Sequence, residues 1–337
     1  MSAPLFLVTV DTEEDNWGEY ACRRPTVENL RELPAFQSLC ERHGIRPTYL
    51  INYPVVTSDL GQGILDELRA RKAGFGAHCH PWNTPPVEEQ VGPSASFLSN
   101  LPAALVQQKL ERLTEAITSA VGERPTCFRA GRWGVGPGVT TALHSLGYRI
   151  DSSVCPFVDW SPEGGPDHSR YPRTAYRFHP ATPFVPDPPG AMIEIPATTG
   201  FWQRDQDRAM ARLRLARRLP QALRAVGLAD RLRWTTFRWL SPETASGKDM
   251  VRLARSLLQQ GARYLNLMFH STTLLPGRTP FVATVADRAR FVARLARVFE
   301  FAQEAGLQPA TLDGDETELA SMIGLAGQTS RDTRGQL

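Results

Sequence analysis

The chain has 337 residues, of which 42% are hydrophobic and 22% are charged, and its formal net charge is +3 at pH 7. These values are typical of a soluble globular protein with one barrel-sized domain or two smaller ones, and the small charge leads us to expect no nucleic-acid partner. Five cysteines without C-x-x-C spacing argue against a disulfide framework and favour a reducing compartment. No apolar run has the length of a signal peptide or a membrane span, so we expect a cytoplasmic protein.

Short runs rich in β-branched and aromatic residues alternate with amphipathic helical patterns along most of the chain. The pattern predicts strands at 5–10, 47–51, 75–78, 126–129, 148–151, 264–270 and 309–312, and helices at 27–42, 60–71, 103–121, 139–146, 248–260 and 286–304. This alternation is typical of parallel strands with crossover helices, whose natural closed form is a barrel. We expect one β/α barrel over residues 1–320 and a flexible tail over residues 321–337.

Residues 155–245 interrupt this alternation. Residues 155–196 are rich in Pro and Gly, with short strands predicted at 175–179 and 192–196, and such long excursions usually carry function. Residues 203–238 contain ten Arg and three Asp, interleaved with Leu, Ala and Trp. This central helical insert is either a solvated charged face or a basic lid in peripheral contact with a membrane or a phosphate-bearing substrate.

An acidic cluster follows the first predicted strand. Four carboxylates occur within the five residues 11–15, directly after the apolar run 5–10. Clustered acids at the end of a buried strand repel one another unless a cation or an arginine compensates them. The cluster therefore indicates a metal site, and a solvated acidic loop is the alternative.

Two histidines flank a cysteine at the end of another predicted strand. His78 and His80 are two residues apart, so their imidazoles project from the same face of an extended backbone, whereas Cys79 projects from the opposite face. Two histidines and one carboxylate form the three-ligand set of a catalytic zinc site, which leaves one position open.

Chemically active side chains recur at the carboxyl ends of the predicted strands. Asp11, His78, Arg129, Asp151 and His270 each lie at or just beyond such an end. In parallel β/α barrels the active site is assembled on that face. Each residue alone has a structural alternative, such as a helix-capping arginine or a buried core histidine, but the five together predict one site.

These motifs resemble the five ordered motifs of the polysaccharide deacetylases, the carbohydrate esterases with a NodB-homology domain. The matching segments are residues 9–13, 78–80, 128–134, 151–160 and 267–271. The resemblance spans about residues 5–312 apart from the central insert. It implies a distorted (β/α)7 barrel that removes N-acetyl or related acyl groups from amino sugars with Zn²⁺ or another divalent metal.

The resemblance also implies a set of metal ligands. The family commonly has a second aspartate after its first, but this chain has Thr12 there, so Glu13 is the expected ligand. His78 matches the first histidine of the second motif. The second histidine of that motif usually follows four residues later, where this chain has Trp82, so His80 is assigned as the third ligand.

Catalytic roles are carried over in the same way. Asp11 matches the general base, and Arg129 matches the arginine that pairs with that base. His270 matches the general acid. The resemblance implies an aspartate that orients this histidine, and the sequence leaves Asp151 and Asp159 open for that role.

The sequence therefore predicts a metal-dependent N-deacetylase acting on an N-acylated sugar, lipid- or nucleotide-linked, in glycan or glycoconjugate biosynthesis. Two alternatives remain. One is a C–N hydrolase acting on a non-sugar amide or formyl group, and the other is a non-catalytic sugar-binding barrel.

Overall fold

The computed structural model describes residues 3–20, 24–89, 92–218 and 236–325. Its strands are β1 (Leu5–Thr12), β2 (Thr48–Ile51), β3 (Gly74–Cys79), β4 (Cys127–Ala130), β5 (Ile150–Asp151), β6 (Tyr176–Phe178), β7 (Met192–Glu194), β8 (Thr199–Phe201), β9 (Phe237–Trp239), β10 (Tyr264–His270) and β11 (Gln308–Ala310). Its α-helices are α1 (Leu33–Arg42), α2 (Tyr53–Thr57), α3 (Asp59–Ala70), α4 (Ala103–Val121), α5 (Pro137–Ser145), α6 (Gln206–Arg218), α7 (Gly247–Gln259), α8 (Val285–Glu304) and α9 (Glu316–Met322).

The main sheet has the strand order β10-β1-β2-β3-β4-β5-β7-β6, and β11 pairs with the start of β1. Within the described residues, the run from β10 to β7 is parallel throughout and contains seven strands, while β6 is an antiparallel edge. Each parallel step requires a crossover, and the intervening helices pack on the outer face of the curled sheet. The predicted distorted (β/α)7 barrel is confirmed.

Irregular backbone closes the barrel between β7 and β10. The Thr198 amide donates to the Asn266 carbonyl at 3.2 Å, and the Met268 amide donates to the Leu240 carbonyl at 3.2 Å. The Leu240 amide in turn donates to the Thr198 carbonyl at 2.8 Å. The chain segments after β7 and β9 therefore satisfy the free edge of β10.

The barrel interior is layered along the strand direction. Near the amino ends of the strands, Leu5, Leu7, Cys127, Ile150 and Ile193 form a buried apolar plug. Toward the carboxyl ends of the strands the inward side chains are polar, and the site lies at those carboxyl ends. The apolar plug gives the fold its inner core and leaves the upper layer available for chemistry.

Two predicted features extend beyond what the structure describes. Residues 219–235 of the basic insert, and residues 326–337 of the tail, lie outside the described residues. The start of the predicted flexible tail is instead ordered, because Ile323 and Leu325 are buried against the apolar plug. Among the described residues, none of the helices has the length and apolar character that crossing a membrane requires.

Candidate active site

Strand register brings the predicted catalytic side chains together in pairs. Asp11 on β1 lies directly beside His270 on β10, and His78 on β3 lies beside Arg129 on β4. Laterally paired residues of parallel strands project from the same face of the sheet, so all four side chains point into the barrel. The site is thus built from positions that the register already fixes.

Arg129 is the anchor of the polar layer below the site and is fully buried. Its guanidinium donates to Asp11 Oδ1 at 2.7 Å and to Thr9 Oγ1 at 2.9 Å. It also donates to the carbonyl and the hydroxyl of Ser152 at 2.9 and 3.0 Å. Burial raises the pKa of Asp11, but Arg129, followed by His78 and His270, outweighs it and leaves the pKa below its usual value.

The acidic cluster is buried, so a solvated acidic loop is excluded: Asp11, Glu13, Glu14 and Asp15 are 2–5% exposed. The four carboxylates have different tasks. Asp15 accepts hydrogen bonds from the backbone amides of Glu28 and Asn29 at 2.8 and 3.0 Å, and it therefore anchors the loop after β1 to the chain before α1. Glu13 and Glu14 turn toward the two histidines.

Glu13, His78 and His80 form a buried cluster in which each residue offers one ligand atom. The two Nε2 atoms lie 3.0 Å apart, and Glu13 Oε2 lies 3.3 Å from His80 Nε2 and 3.7 Å from His78 Nε2. Two ligands about 2.1 Å from a tetrahedral zinc are roughly 3.4 Å apart. The spacing therefore fits one small divalent cation.

The hydrogen bonds of the two rings support the same conclusion. His78 Nδ1 lies 3.0 Å from the Arg129 carbonyl, which only accepts, so the proton is on Nδ1. His80 Nδ1 lies 3.3 Å from Glu14 Oε1. Burial raises the pKa of Glu14, but His80, together with hydrogen bonds that include one from Asn52, outweighs burial and lowers the pKa to about 2. The Nδ1 atom of each ring thus has an acceptor of its own, and the Nε2 atoms are the ones that face each other, an arrangement that suits a cation between them.

The charge of Glu13 also needs compensation. Burial raises its pKa to about 7, and the neighbouring Glu14 and Asp11 carboxylates add to that rise against the opposing effect of His270 and His80. Its Oε1 accepts a hydrogen bond from Thr272 at 3.3 Å, and its amide donates to Ser271 Oγ at 3.1 Å. The carboxylate is thus held in place at the cluster.

His270 is held by Glu243, a residue that we did not predict. His270 Nδ1 lies 3.1 Å from Glu243 Oε2, the His270 amide donates to Glu243 Oε1 at 2.9 Å, and Nε2 lies 3.8 Å from Asp11 Oδ2. Burial lowers the pKa of His270, but Glu243, Glu13 and Asp11 outweigh it and raise the pKa to about 10. The ring is therefore a proton donor at neutral pH.

The assignment of Asp151 to the site is wrong. Asp151 is in register with Phe128, which faces the outer helices, so its carboxylate leaves the sheet on the opposite face from Arg129. It accepts a hydrogen bond from Ser153 and pairs with Glu194 on β7. Ser152 is the inward residue that meets Arg129.

The carboxylate of Asp159, the other open candidate for orienting His270, accepts a hydrogen bond from the Ser161 hydroxyl at 2.6 Å. Glu243 holds His270 in place of either aspartate. Residue pattern gave no signal for Glu243, because it lies in irregular chain after β9 within the predicted insert. Glu14 was visible as part of the acidic cluster, but its pairing with His80 was not.

A cavity of about 300 Å³ opens above the cluster. Its polar lining includes Asp11, Glu13, His78, His80 and His270. Its aromatic lining comes from the end of β9 and from segments outside the strands, and it includes Trp17, Tyr20, Trp82, Trp133, Trp160, Trp239 and Phe281. Such a cavity suits a small ligand with apolar faces and one polar reactive group.

The sequence matches no protein-family model, and none of the curated proteins is significantly similar to it. Solved structures are similar in fold. A protein from Mycobacterium smegmatis, named as a candidate polysaccharide deacetylase, aligns with a TM-score of 0.55 at 14% identity, over 100% of this chain and 96% of that chain.

A family 4 carbohydrate esterase from Streptomyces lividans, solved with acetate, gives a TM-score of 0.43 at 10% identity over 92% of this chain and 93% of that chain. A family 4 domain of a multidomain xylanase, from the hindgut metagenome of Trinervitermes trinervoides, gives 0.44 at 10% identity over 96% and 92%. The likeness to the Mycobacterium smegmatis protein shows the fold, which is that of the polysaccharide deacetylases, as the ordered motifs predict.

Proposed function

We propose that the protein is a metal-dependent hydrolase that removes an N-acetyl or related acyl group from an amino sugar. The observation that carries this proposal is the Asp11–His270 pair, which faces the Glu13, His78 and His80 cluster within one cavity. These three side chains would hold a divalent cation, with zinc as the expected ion. Such a cation lowers the pKa of an attacking water and polarises an amide carbonyl.

Asp11 is the proposed general base. Its pKa lies below its usual value, and Arg129 occupies Oδ1, so Oδ2 is the oxygen left to take a proton from water. Arg129 cannot be deprotonated, so it keeps Asp11 oriented, and ionised until the attack on the amide carbon. The attack forms a C–O bond at the amide carbon, and the proton from water passes to Asp11.

His270 is the proposed general acid. Cleavage of the amide C–N bond expels an amine, which is a poor leaving group unless its nitrogen is protonated. The His270 imidazolium supplies that proton from Nε2, because Nδ1 is engaged by Glu243. The products are a carboxylate and a free amino sugar.

The test is acetate release from a panel of free, nucleotide-linked and lipid-linked N-acetylated amino sugars, with purified protein reconstituted with zinc. We expect Asp11→Asn and His270→Ala each to lower kcat by about two orders of magnitude or more, as is typical for loss of acid–base catalysis. Near-wild-type acetate release from either variant contradicts the assigned roles. Non-sugar amides and formamides in the same panel, scored by amine and formate release, test the alternative substrate class.

A further inference from the structure

The indole of Trp17 lies at the mouth of the cavity beside the proposed acid. Its ring centroid is 4.7 Å from that of His270 and 5.4 Å from that of Phe281, and it stands edge-on to both rings. Trp17 is 36% exposed, and it is the one aromatic residue among the large apolar side chains that remain exposed in the described part of the chain. An indole that keeps apolar surface in water beside a reactive group offers that surface to a ligand.

The position of Trp17 is built into its loop. Two residues before it, the Asp15 carboxylate accepts the amides of Glu28 and Asn29, and the Trp17 amide donates to the Asp15 carbonyl at 3.1 Å. Gly18, which follows, has φ of 79°, a conformation that a residue with a Cβ adopts only with strain. The indole is thus held at the cavity by an anchor before it and a turn after it.

We infer that Trp17 forms the subsite for the sugar ring that bears the reacting nitrogen, an inference that rests on the proposed function. A proton transfer from His270 Nε2 requires the leaving nitrogen within about 3 Å of it. In an N-acylated amino sugar that nitrogen is bonded directly to a ring carbon. The ring is therefore carried next to His270, where the indole of Trp17 stands, and its apolar C–H face packs against the indole.

This geometry makes Trp17 a specificity-determining residue for the leaving group. It contacts the part of the substrate that departs as the amine, and it donates no proton and binds no cation. Loss of the indole should therefore weaken the binding of substrates that contain the ring more than the binding of substrates that lack it. Phe281 braces the indole at its edge and is expected to have a smaller effect of the same kind.

The experiment compares acetate release from N-acetylated amino sugars with acetate release from trifluoroethyl acetate, an activated ester without a ring. We expect Trp17→Ala to lower kcat/KM for the sugars about tenfold, mainly through KM, since tenfold corresponds to about 1.4 kcal/mol, which one aromatic stacking contact can supply. The loss for the ester should be smaller, so that the sugar-to-ester ratio of kcat/KM falls, because the ester has no ring that contacts Trp17. Trp17→Phe, which keeps an aromatic face, should recover most of the loss.

Equal losses for sugars and ester, or no loss for either, would overturn the inference. Zinc content and the thermal unfolding midpoint of each variant are measured alongside, so that a misfolded variant is recognised. A wild-type protein that hydrolyses the ester but none of the sugars would contradict the proposed function, and this inference with it. A wild-type protein that hydrolyses the sugars with a Trp17→Ala variant of unchanged sugar-to-ester ratio would contradict this inference alone.

Discussion

A single carboxylate, Glu243, sets the charge of His270. It contacts both the ring and the backbone amide of that histidine, and it receives a further hydrogen bond from Thr273 Oγ1 at 2.6 Å. After burial, which lowers the pKa of His270, the charge of Glu243 is the largest influence on it. The strength of the proposed acid is therefore controlled from a loop that the strand pattern does not reveal.

This control predicts a shift in pH dependence. The acid must be protonated, so activity is present below the pKa of His270 and is lost as pH rises through about 10. In Glu243→Gln the charge that raises this pKa is removed, so the alkaline limb of kcat should move to lower pH. Acetate release measured from pH 6 to 11 tests this, with Glu163→Gln, a cavity-lining carboxylate that pairs with Arg132, as the matched control. An alkaline limb at the same pH in wild type and Glu243→Gln would contradict the role given to Glu243.

Glu14 has a comparable influence on the cation cluster. It lies 3.3 Å from His80 Nδ1 and accepts the Trp82 Nε1 proton at 3.2 Å, while Asn52 also donates to it. A carboxylate on the far nitrogen of a ligand histidine fixes its tautomer and raises its basicity. Glu14 thus orients His80, and it is not one of the three residues that would hold the cation.

Removing this support should weaken metal binding. We expect Glu14→Ala to reduce zinc affinity about 10- to 100-fold, the usual effect of losing such a partner. Chelator competition measures the affinity, and Glu19→Gln, in the exposed part of the same loop, should leave it unchanged. Wild-type zinc affinity in Glu14→Ala would show that His80 does not depend on this carboxylate.

The difference between Asp151 and the other predicted residues shows what sequence can reveal. Asp11, His78, Arg129 and His270 each fall on the inward phase of their strand, and their convergence follows from register. Asp151 ends a strand too, but it falls on the outward phase, which strand alternation after the inward Ile150 indicates. The ends of the strands could therefore be predicted. Whether the last side chain of each strand points into or out of the barrel was the information that we had not used.

Helix α4 organises the loop that follows the two histidines. Its Lys109 is fully buried, and Nζ donates to the carbonyls of Pro81, Thr84 and Pro86 at 2.9, 2.8 and 2.5 Å. The same Nζ lies 3.0 Å from Glu89 Oε2. One cation thus gathers several carbonyls of the loop that carries Trp82, whose ring stacks on His80 at 4.2 Å.

Replacing this lysine should cost stability. Lys109→Met leaves Glu89 and the loop carbonyls buried without a partner, and breaking a buried charge pair in this way typically costs about 3–5 kcal/mol of unfolding free energy. Urea unfolding measures the change, and Arg112→Met, at an exposed ion pair on the same helix, should cost less than about 1 kcal/mol. Equal small losses in both variants would contradict the account of Lys109.

Regular elements were predictable, whereas the segments that close the barrel were not. Helix α4 and strand β10 have the predicted bounds, because amphipathic periodicity and an apolar run each have a clear signature. The β8–β9 pair has three-residue strands far apart in sequence, and the hydrogen bonds of Thr198 and Leu240 to β10 involve irregular backbone. Such contacts depend on long-range register, which local pattern does not encode.

The cation cluster joins chain segments that are distant in sequence. Glu13 follows β1 and is tied to Ser271 after β10, while His78 and His80 belong to β3 and the residue beyond it. The carboxyl ends concerned belong to β10, β1 and β3, which lie within four neighbouring strands of the sheet although they are far apart in sequence. A cation would bind all three ligands only in the folded state, because unfolding separates Glu13 from the two histidines.

Zinc should therefore stabilise the whole fold. At a free zinc concentration 100 times the Kd, linkage predicts about 2.7 kcal/mol of added stability, or roughly 4 °C in the thermal midpoint of a chain of 337 residues. The increase should reverse on addition of a chelator and disappear in His80→Ala, while His43→Ala, at an exposed contact with Gln303, should keep it. Differential scanning calorimetry with and without zinc measures the shift. An equal shift in His80→Ala and wild type would place the stabilising cation elsewhere. It would also remove the reason for assigning Glu13, His78 and His80 to one site.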